Sequence, residues 1–295
     1  MNLNQLEYFC TAVECGSITK AAKKLFVTQP AISGAIRELE KEFSVILFSH
    51  TRNRLALSPD GERFYTKARQ LLQEVETAKL QLHDWGGSRQ PVRVGIPPMW
   101  GTTFFPDLLR DFQEKHPGIR LTFYEYGSAR AANLVQEEEL DVALVNLSQT
   151  DPEKFHMLPI GRDHFVIAVD PGHPLAARKS VTLEELDGRP LVMYNTDSVQ
   201  NHVIRNRFDA LGIAPNILIY TSQIHTMKSM IHNNTCVSFF YASLLQDHPD
   251  IVGVPLEPRI EQKVGLIWRK GKYTPAGVEA FISFVKDYPL FPEEP

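Results

Sequence analysis

The chain has 295 residues, 43% hydrophobic and 22% charged, with a formal net charge of −4. That length exceeds one typical domain, the composition is that of a soluble globular protein, and the mild negative charge excludes a protein that coats nucleic acid through a broad basic field. MNLNQLEYFC has no charged stretch leading into an apolar one, so no secretory signal is expected, and no apolar run reaches membrane-spanning length.

Leu3, Leu6, Phe9, Cys10 and Val13 space out a first amphipathic helix. Residues 17–41 then hold two more, joined by three or four residues. Ser17 is a natural N-cap for the first, in which Ile18, Ala21, Ala22 and Leu25 share a face. Thr28 can cap the second, and Pro30 falls in its first turn, where a missing N–H costs little. Ile32, Ala35, Ile36, Leu39 and Phe43 run toward a core. The opposite face carries Gln29, Ser33 and Arg37 at intervals of four, with Lys41 continuing the row. Gln pairs with an adenine edge, Arg with guanine, and a small Ser lets a helix approach closely. This is the geometry of a helix-turn-helix DNA reader. On spacing alone, a helical hairpin with a solvated outer face is the alternative.

Residues 45–48 are β-prone, residues 51–54 turn, and residues 55–57 return, which reads as a two-stranded wing. Arg52 and Arg54 would sit at its tip, facing phosphates or the minor groove. Ser58-Pro59 opens a long helix with Asp60 and Glu62 near its positive end. Phe64, Ala68, Leu71, Val75, Ala78, Leu82 and Trp85 follow at alternating spacings of four and three, ended by Gly86-Gly87. So narrow a heptad seam fits a coiled-coil partner better than the helix's own domain. A dimerisation helix about 40 Å long is expected, and paired heads require an inverted-repeat DNA site.

After the Gly86-Gly87-Ser88 hinge, strands and helices alternate. Strands are expected at 92–96, 121–126 and 141–145, with helices at 103–115 and, capped by Ser128, 128–139. A second set has strands at 165–169, 191–194, 216–220 and 236–240 and helices at 199–211 and 224–232. A strand at 264–268 and a helix after Thr274-Pro275 rejoin the first set. Two mostly parallel α/β lobes follow, with crossings near Gly161 and Val264. Ligands of such sheets lie beyond the strand C-termini. Candidate effector-binding residues are Pro98, Met99, Trp100, Thr102, Thr103, Asn146, Tyr194, Ser198, Ser222, Ile224 and Phe240. Hydroxyls, amides and bulky apolar groups there suit a small polar metabolite such as a carboxylate. Thr102, Ser198 and Ser222 as helix caps and Trp100 as core are the alternative.

The N-terminal residues, with AAKKLFVTQPAIS, the IRELE after it and the LF…L-S-P-D-G ending, resemble the DNA-binding domain of LysR-type transcriptional regulators, and a weaker likeness extends along the rest. The resemblance implies an all-α winged helix-turn-helix domain over 1–58 and a coiled-coil linker helix and hinge over 59–88. It also implies a periplasmic-binding-protein-like α/β effector domain with lobes 89–161 plus 265–295 and 162–264. Ser17, Thr19, Thr28, Gln29, Pro30, Ser33, Arg37, Arg52 and Arg54 are then the DNA-binding residues. The expected partners are double-stranded DNA at an inverted repeat, a small-molecule effector, RNA polymerase, and further copies of the chain as a homodimer or homotetramer, in the cytoplasm. The sequence departs from the family pattern at Gly34, at His50, in the bulky Pro97-Pro98-Met99-Trp100 loop, and at Asn234, Thr235, Cys236 and Tyr241. No Gly-rich phosphate loop, nucleophile elbow or metal-spaced His/Cys set supports an enzyme, and no cofactor is expected. Cys10, Cys15 and Cys236 are expected to be reduced thiols.

Overall fold

In the computed structural model the chain divides into two compact units, Met1–Gly86 and Gly87–Pro295. The structure describes residues 1–51, 54–86, 91–101, 104–196, 198–245 and 250–290, without the side chains of residues 50, 51 and 54.

The first unit contains α1 (Leu3–Cys15), α2 (Ile18–Lys24), α3 (Gln29–Phe43), β1 (Phe48–Thr51), β2 (Arg54–Leu57) and α4 (Pro59–Trp85). Leu6, Phe9 and Cys10 of α1, Ala21 and Ala22 of α2, and Ile32, Ile36 and Leu39 of α3 bury together, and α4 adds Ala68. Each Ile or Leu so buried contributes about 1.5–3 kcal/mol. On the rim, Glu14 of α1 pairs with Arg69 of α4 at 3.0 Å and with Lys24 of α2 at 3.7 Å. In the α2–α3 turn Phe26 takes a left-handed backbone, φ 55°, and its ring is 96% exposed.

Five expectations for this unit are corrected. The first wing strand is 48–51 rather than 45–48, because Leu47 is buried with its N–H donated to Glu40 Oε1 at 2.8 Å and its carbonyl accepting from Ser58 N at 3.0 Å. β1 pairs antiparallel with β2, Thr51 opposite Arg54, so Arg54 belongs to the strand and not to the tip. Arg52, expected at the tip, and the Arg54 side chain lie outside the described residues. Thr28 stands at the N-cap of α3 without a side-chain capping bond; its carbonyl receives Ala31 N instead. The α4 seam divides along its length. Phe64 and Ala68 pack into the unit's own core, whereas Leu71, Leu82 and Trp85 are 40%, 59% and 78% exposed. Phe43, expected in the core, is 42% exposed and leans on Phe64, ring centroids 5.7 Å apart.

The second unit is built on β3 (Val92–Ile96), α5 (Pro98–Gly101), α6 (Phe105–Lys115), β4 (Leu121–Glu125), α7 (Ser128–Gln136), β5 (Val142–Asn146), β6 (Phe155–Val169), β7 (Pro190–Met193), α8 (Val199–Ala210), β8 (Asn216–Tyr220), α9 (Ile224–His232), β9 (Val237–Tyr241), β10 (Val252–Pro255), β11 (Glu261–Arg269) and α10 (Ala276–Lys286). The strands form one path, β4-β3-β5-β11-β6-β9-β7-β8, with β10 beside β6. The expected mostly parallel sheets are mixed: β3 runs parallel to β4 and β5, and β7 to β8 and β9, but β6 and β11 are antiparallel to all their neighbours. The expected strand at 165–169 is the last third of the 15-residue β6, which begins at Phe155. Its first part pairs with β11 and its end with β9 and β10. The register slips between Val264 and Gly265. A Cβ on Gly265 would stand 2.6 Å from the Leu158 carbonyl oxygen, so only glycine allows the strands this approach.

The helix expected at 103–115 is α6, from Phe105, with α5 a separate short element ahead of it at Pro98–Gly101, and α7 begins after Gly127 rather than with Ser128 as its cap. The buried Ser128 Oγ accepts from Asn146 N at 3.1 Å instead.

Candidate functional site

The first candidate surface is the outer face of α3. Its inner side chains, Ile32, Ala35, Ile36 and Leu39, are buried, which orients the helix about its axis and turns Gln29 and Arg37 outward, with Ser33 half-buried between them. At 1.5 Å per residue these three span about 12 Å, the rise of roughly three to four DNA base pairs. Thr28 and Pro30 are exposed at the start of α3. Thr19 donates to Gln29 Oε1 at 3.4 Å, so two of the expected DNA residues meet across the α2–α3 junction. Ser17 caps α2, its hydroxyl accepting from Lys20 N at 3.3 Å. Gln5 Nε2 on Glu38 Oε2, 2.6 Å, ties α3 to α1 from the side.

The second candidate surface lies where the two halves of the sheet meet. Trp100 of α5 is fully buried and stacks on Tyr241 of β9, centroids 5.0 Å apart at 26°. Tyr241 stacks in turn on Phe165 of β6, at 4.7 Å and 17°. Asp163, two residues from Phe165, shares its face of β6, and Gln262 of β11 is its cross-strand partner. Asn146, at the end of β5, donates Nδ2 to Gln262 Oε1. Asp163 accepts from Ser243 Oγ at 2.6 Å and from His164 N at 2.8 Å. Burial pushes the Asp163 carboxyl above its ordinary pKa, against the opposing pull of the Ser243 hydroxyl. Burial, and then the neighbouring Asp163, raise the Tyr241 phenol, which also bonds Gln200. Tyr194 donates its hydroxyl to Phe239 O at 2.7 Å and receives Asn201 Nδ2 on its carbonyl at 2.7 Å. Its phenol too is raised, by burial first and then by Tyr241 and Asp163.

The other candidates are less uniform. Met99 is buried beside Trp100, and Pro98 is half-buried. Ser198 caps α8 through Asn201 N at 3.0 Å. Ser222 and Ile224 are half-buried at the start of α9. Phe240 is buried, but strand alternation puts it on the opposite face of β9 from Tyr241. Thr102 and Thr103 lie outside the described residues. Among the described residues no group of three His, Cys, Asp or Glu could hold a metal ion.

Residues 3–62 match the model of the bacterial regulatory helix-turn-helix protein, lysR family, and residues 86–289 match the LysR substrate binding domain. The chain belongs to the LysR family of transcriptional regulators. It is 29% identical over 292 residues to YwbI, an uncharacterized HTH-type transcriptional regulator of Bacillus subtilis (strain 168), covering 98% of this chain and 97% of that one. It is 25% identical to the hydrogen peroxide-inducible genes activator of Haemophilus influenzae, covering 97% of each. Full-length OxyR from Pseudomonas aeruginosa shares the fold with a TM-score of 0.62 at 21% identity, over 100% of this chain and 99% of that one. CbnR, crystallised in complex with its target DNA, does so with a TM-score of 0.55 at 22% identity, over 97% and 99%.

This LysR-type regulator is therefore a transcription factor and not an enzyme, with a DNA-binding helix-turn-helix domain and a two-lobed effector-binding domain. No helix among the described residues is long and apolar enough to cross a membrane. Three residues of the inter-lobe group, Phe165, Asp163 and Gln262, are missing from the candidates read in the sequence, whereas Tyr241 falls in the 239–241 segment that the sequence places beyond a strand end. Strand-face alternation along β6 could have found Phe165; the crossover pairing of β6 and β11 that places the other two has no local sequence signal.

Proposed function

We propose that two copies of this regulator bind an inverted-repeat operator, each inserting α3 into the major groove. Gln29, Ser33 and Arg37 meet base edges, while Ser17, Thr19, Thr28 and Pro30 lie toward the phosphates and Arg52 and Arg54 follow from the wing. The observation that carries this reading is the two-sided α3: a buried apolar face fixes its orientation, and the outer face holds Gln29, Ser33 and Arg37, side-chain types able to pair with or approach base edges, at one-turn intervals. The DNA complex of CbnR, alike in fold, supports it.

In this reading residues 1–58 read DNA, and residues 59–88 link and pair the copies through the exposed apolar row of α4. The lobes, 89–161 plus 265–295 and 162–264, hold a small metabolite between them. Edge strand β8, with Leu218, Ile219 and Tyr220 exposed, offers a second self-association surface for a tetramer. Ligand binding favours one arrangement of the lobes and so alters how the paired heads fit the operator and meet RNA polymerase, in the cytoplasm.

Footprinting of the region upstream of its own gene, with light scattering on the same protein, tests this. The expected result is a protected inverted repeat with half-sites about one helical turn apart or a multiple of it. Affinity should fall linearly with log salt, and Leu82→Glu should break the dimer and weaken protection. A footprint absent at every salt concentration would refute the reading.

A further inference from the structure

We infer that the effector of this regulator is a planar aromatic molecule whose polar head donates N–H hydrogen bonds and carries no negative charge. The inference rests on the inter-lobe reading above and gives it a ligand chemistry. Trp100 comes from the lobe containing β3, whereas Tyr241 and Phe165 stand on strands of the other lobe. The Trp100–Tyr241 stack, 5.0 Å and near parallel, is thus a contact between lobes. If the lobes part by about the thickness of a ring, the stack becomes a slot with an aromatic wall on each side. A flat ring restores on both faces what the lobes give up, whereas a saturated ring of equal size restores neither.

The polar groups around the slot set the head group. Gln262 and Asp163 lie on the face of the crossover strands that also carries Phe165, and Gln200 bonds the Tyr241 hydroxyl. Asp163 is the one buried charged side chain among the described residues. Its carboxylate oxygens already accept from Ser243 Oγ and His164 N, and the Gln262 oxygen from Asn146 Nδ2, but each oxygen has a second lone pair that can accept from an amide or amidinium N–H₂. A carboxylate ligand would instead lose its water beside a second carboxylate, with no buried base among the described residues to offset it.

Calorimetric titration of the full-length protein with benzamide, benzamidine, benzoate and cyclohexanecarboxamide tests the inference, with operator footprinting run alongside. Benzamide and benzamidine should each bind at least about tenfold more tightly than either benzoate or the saturated amide. Trp100→Leu should erase the preference for the flat ring, and Trp100→Phe, which keeps a ring in the wall, should retain it. Asp163→Asn should narrow the gap between benzamidine and benzoate. Benzoate binding as tightly as benzamide, the saturated amide matching the aromatic one, or no binding of any probe at millimolar concentration would overturn the inference. In each of those cases an intact footprint leaves the regulatory reading standing, while a missing footprint defeats that reading independently of any ligand result.

Discussion

Gly61 sits in the first turn of α4, pressed against the chain that leads into the wing, and replacing it by alanine should unseat that junction. A Cβ there would lie 2.0 Å from the Leu47 carbonyl oxygen and 3.1 Å from Leu57 Cδ2. Ordinary contact begins near 3.4 Å, so backbone must move by about 1.4 Å. The Leu47 carbonyl also accepts from Ser58 N at 3.0 Å, and a displacement of that size breaks the bond. Overpacking costs about 1–3 kcal/mol and the lost bond about 0.5–1.5 kcal/mol, together roughly 2–4 kcal/mol. For a unit of this size that lowers the melting temperature by roughly 10–25 °C. Scanning calorimetry should show the N-terminal transition moved down by that amount. Operator affinity should fall with it, because the wing shifts relative to α3 although no reading residue has changed. Gly34→Ala is the matched control: nothing lies within 4 Å of its added methyl, in the interior of α3. It should stabilise by roughly 0.5–1 kcal/mol. If both alanine variants melt together with the wild type, the assigned packing of α4 on the wing is wrong.

Replacing Arg37 by Ala should cost about 1–3 kcal/mol of operator binding and relax discrimination at one base position, as read by competition gel shifts across a set of single-base operator variants; unchanged selectivity would remove Arg37 from the reading face. Burial raises the Cys10 and Cys236 thiols to about 11, so at neutral pH both should resist a disulfide reagent until the protein is denatured. Rapid labelling of either in the native protein, identified by mass spectrometry, would contradict their burial. Asp163 holds its proton more tightly folded than unfolded. Its contribution to stability is therefore fully present below the ordinary pKa of 3.8 and is lost as pH rises through the raised value. Denaturant titrations should show Asp163→Asn gaining on the wild type over that rise, and a difference that does not vary with pH would count against the buried carboxylate.

The N-terminal unit was legible because its signals are local. Ser17 and Ser58 cap helices, and the spacing of Ile32, Ala35, Ile36 and Leu39 orients α3 without reference to anything distant. Similarly β3, β8 and α9 fall where their residues predict, each a compact apolar or amphipathic run. What escaped depends on partners far along the chain. Leu47 is β-prone, yet Glu40 and Ser58 claim its backbone groups, so the strand starts only at Phe48. Phe165 marks a strand plainly, but nothing near it tells that the same strand began at Phe155 in the other lobe. Asp163 reads as a surface acid in a polar stretch, and only its register opposite Gln262 and the hydroxyl of Ser243 reveal that it is buried.

The passage of β6 and β11 side by side from one lobe to the other has a mechanical result. Two strands bonded edge to edge form a ribbon, compliant when flexed across its flat face and stiff against sliding within its plane. In the reading proposed above, relative movement of the lobes would thereby be steered into a single soft direction instead of being spread over many. A molecule wedged between Trp100 and Tyr241 would then push along one coordinate, so a small occupant can deliver a defined change in angle to whatever the domain is attached to.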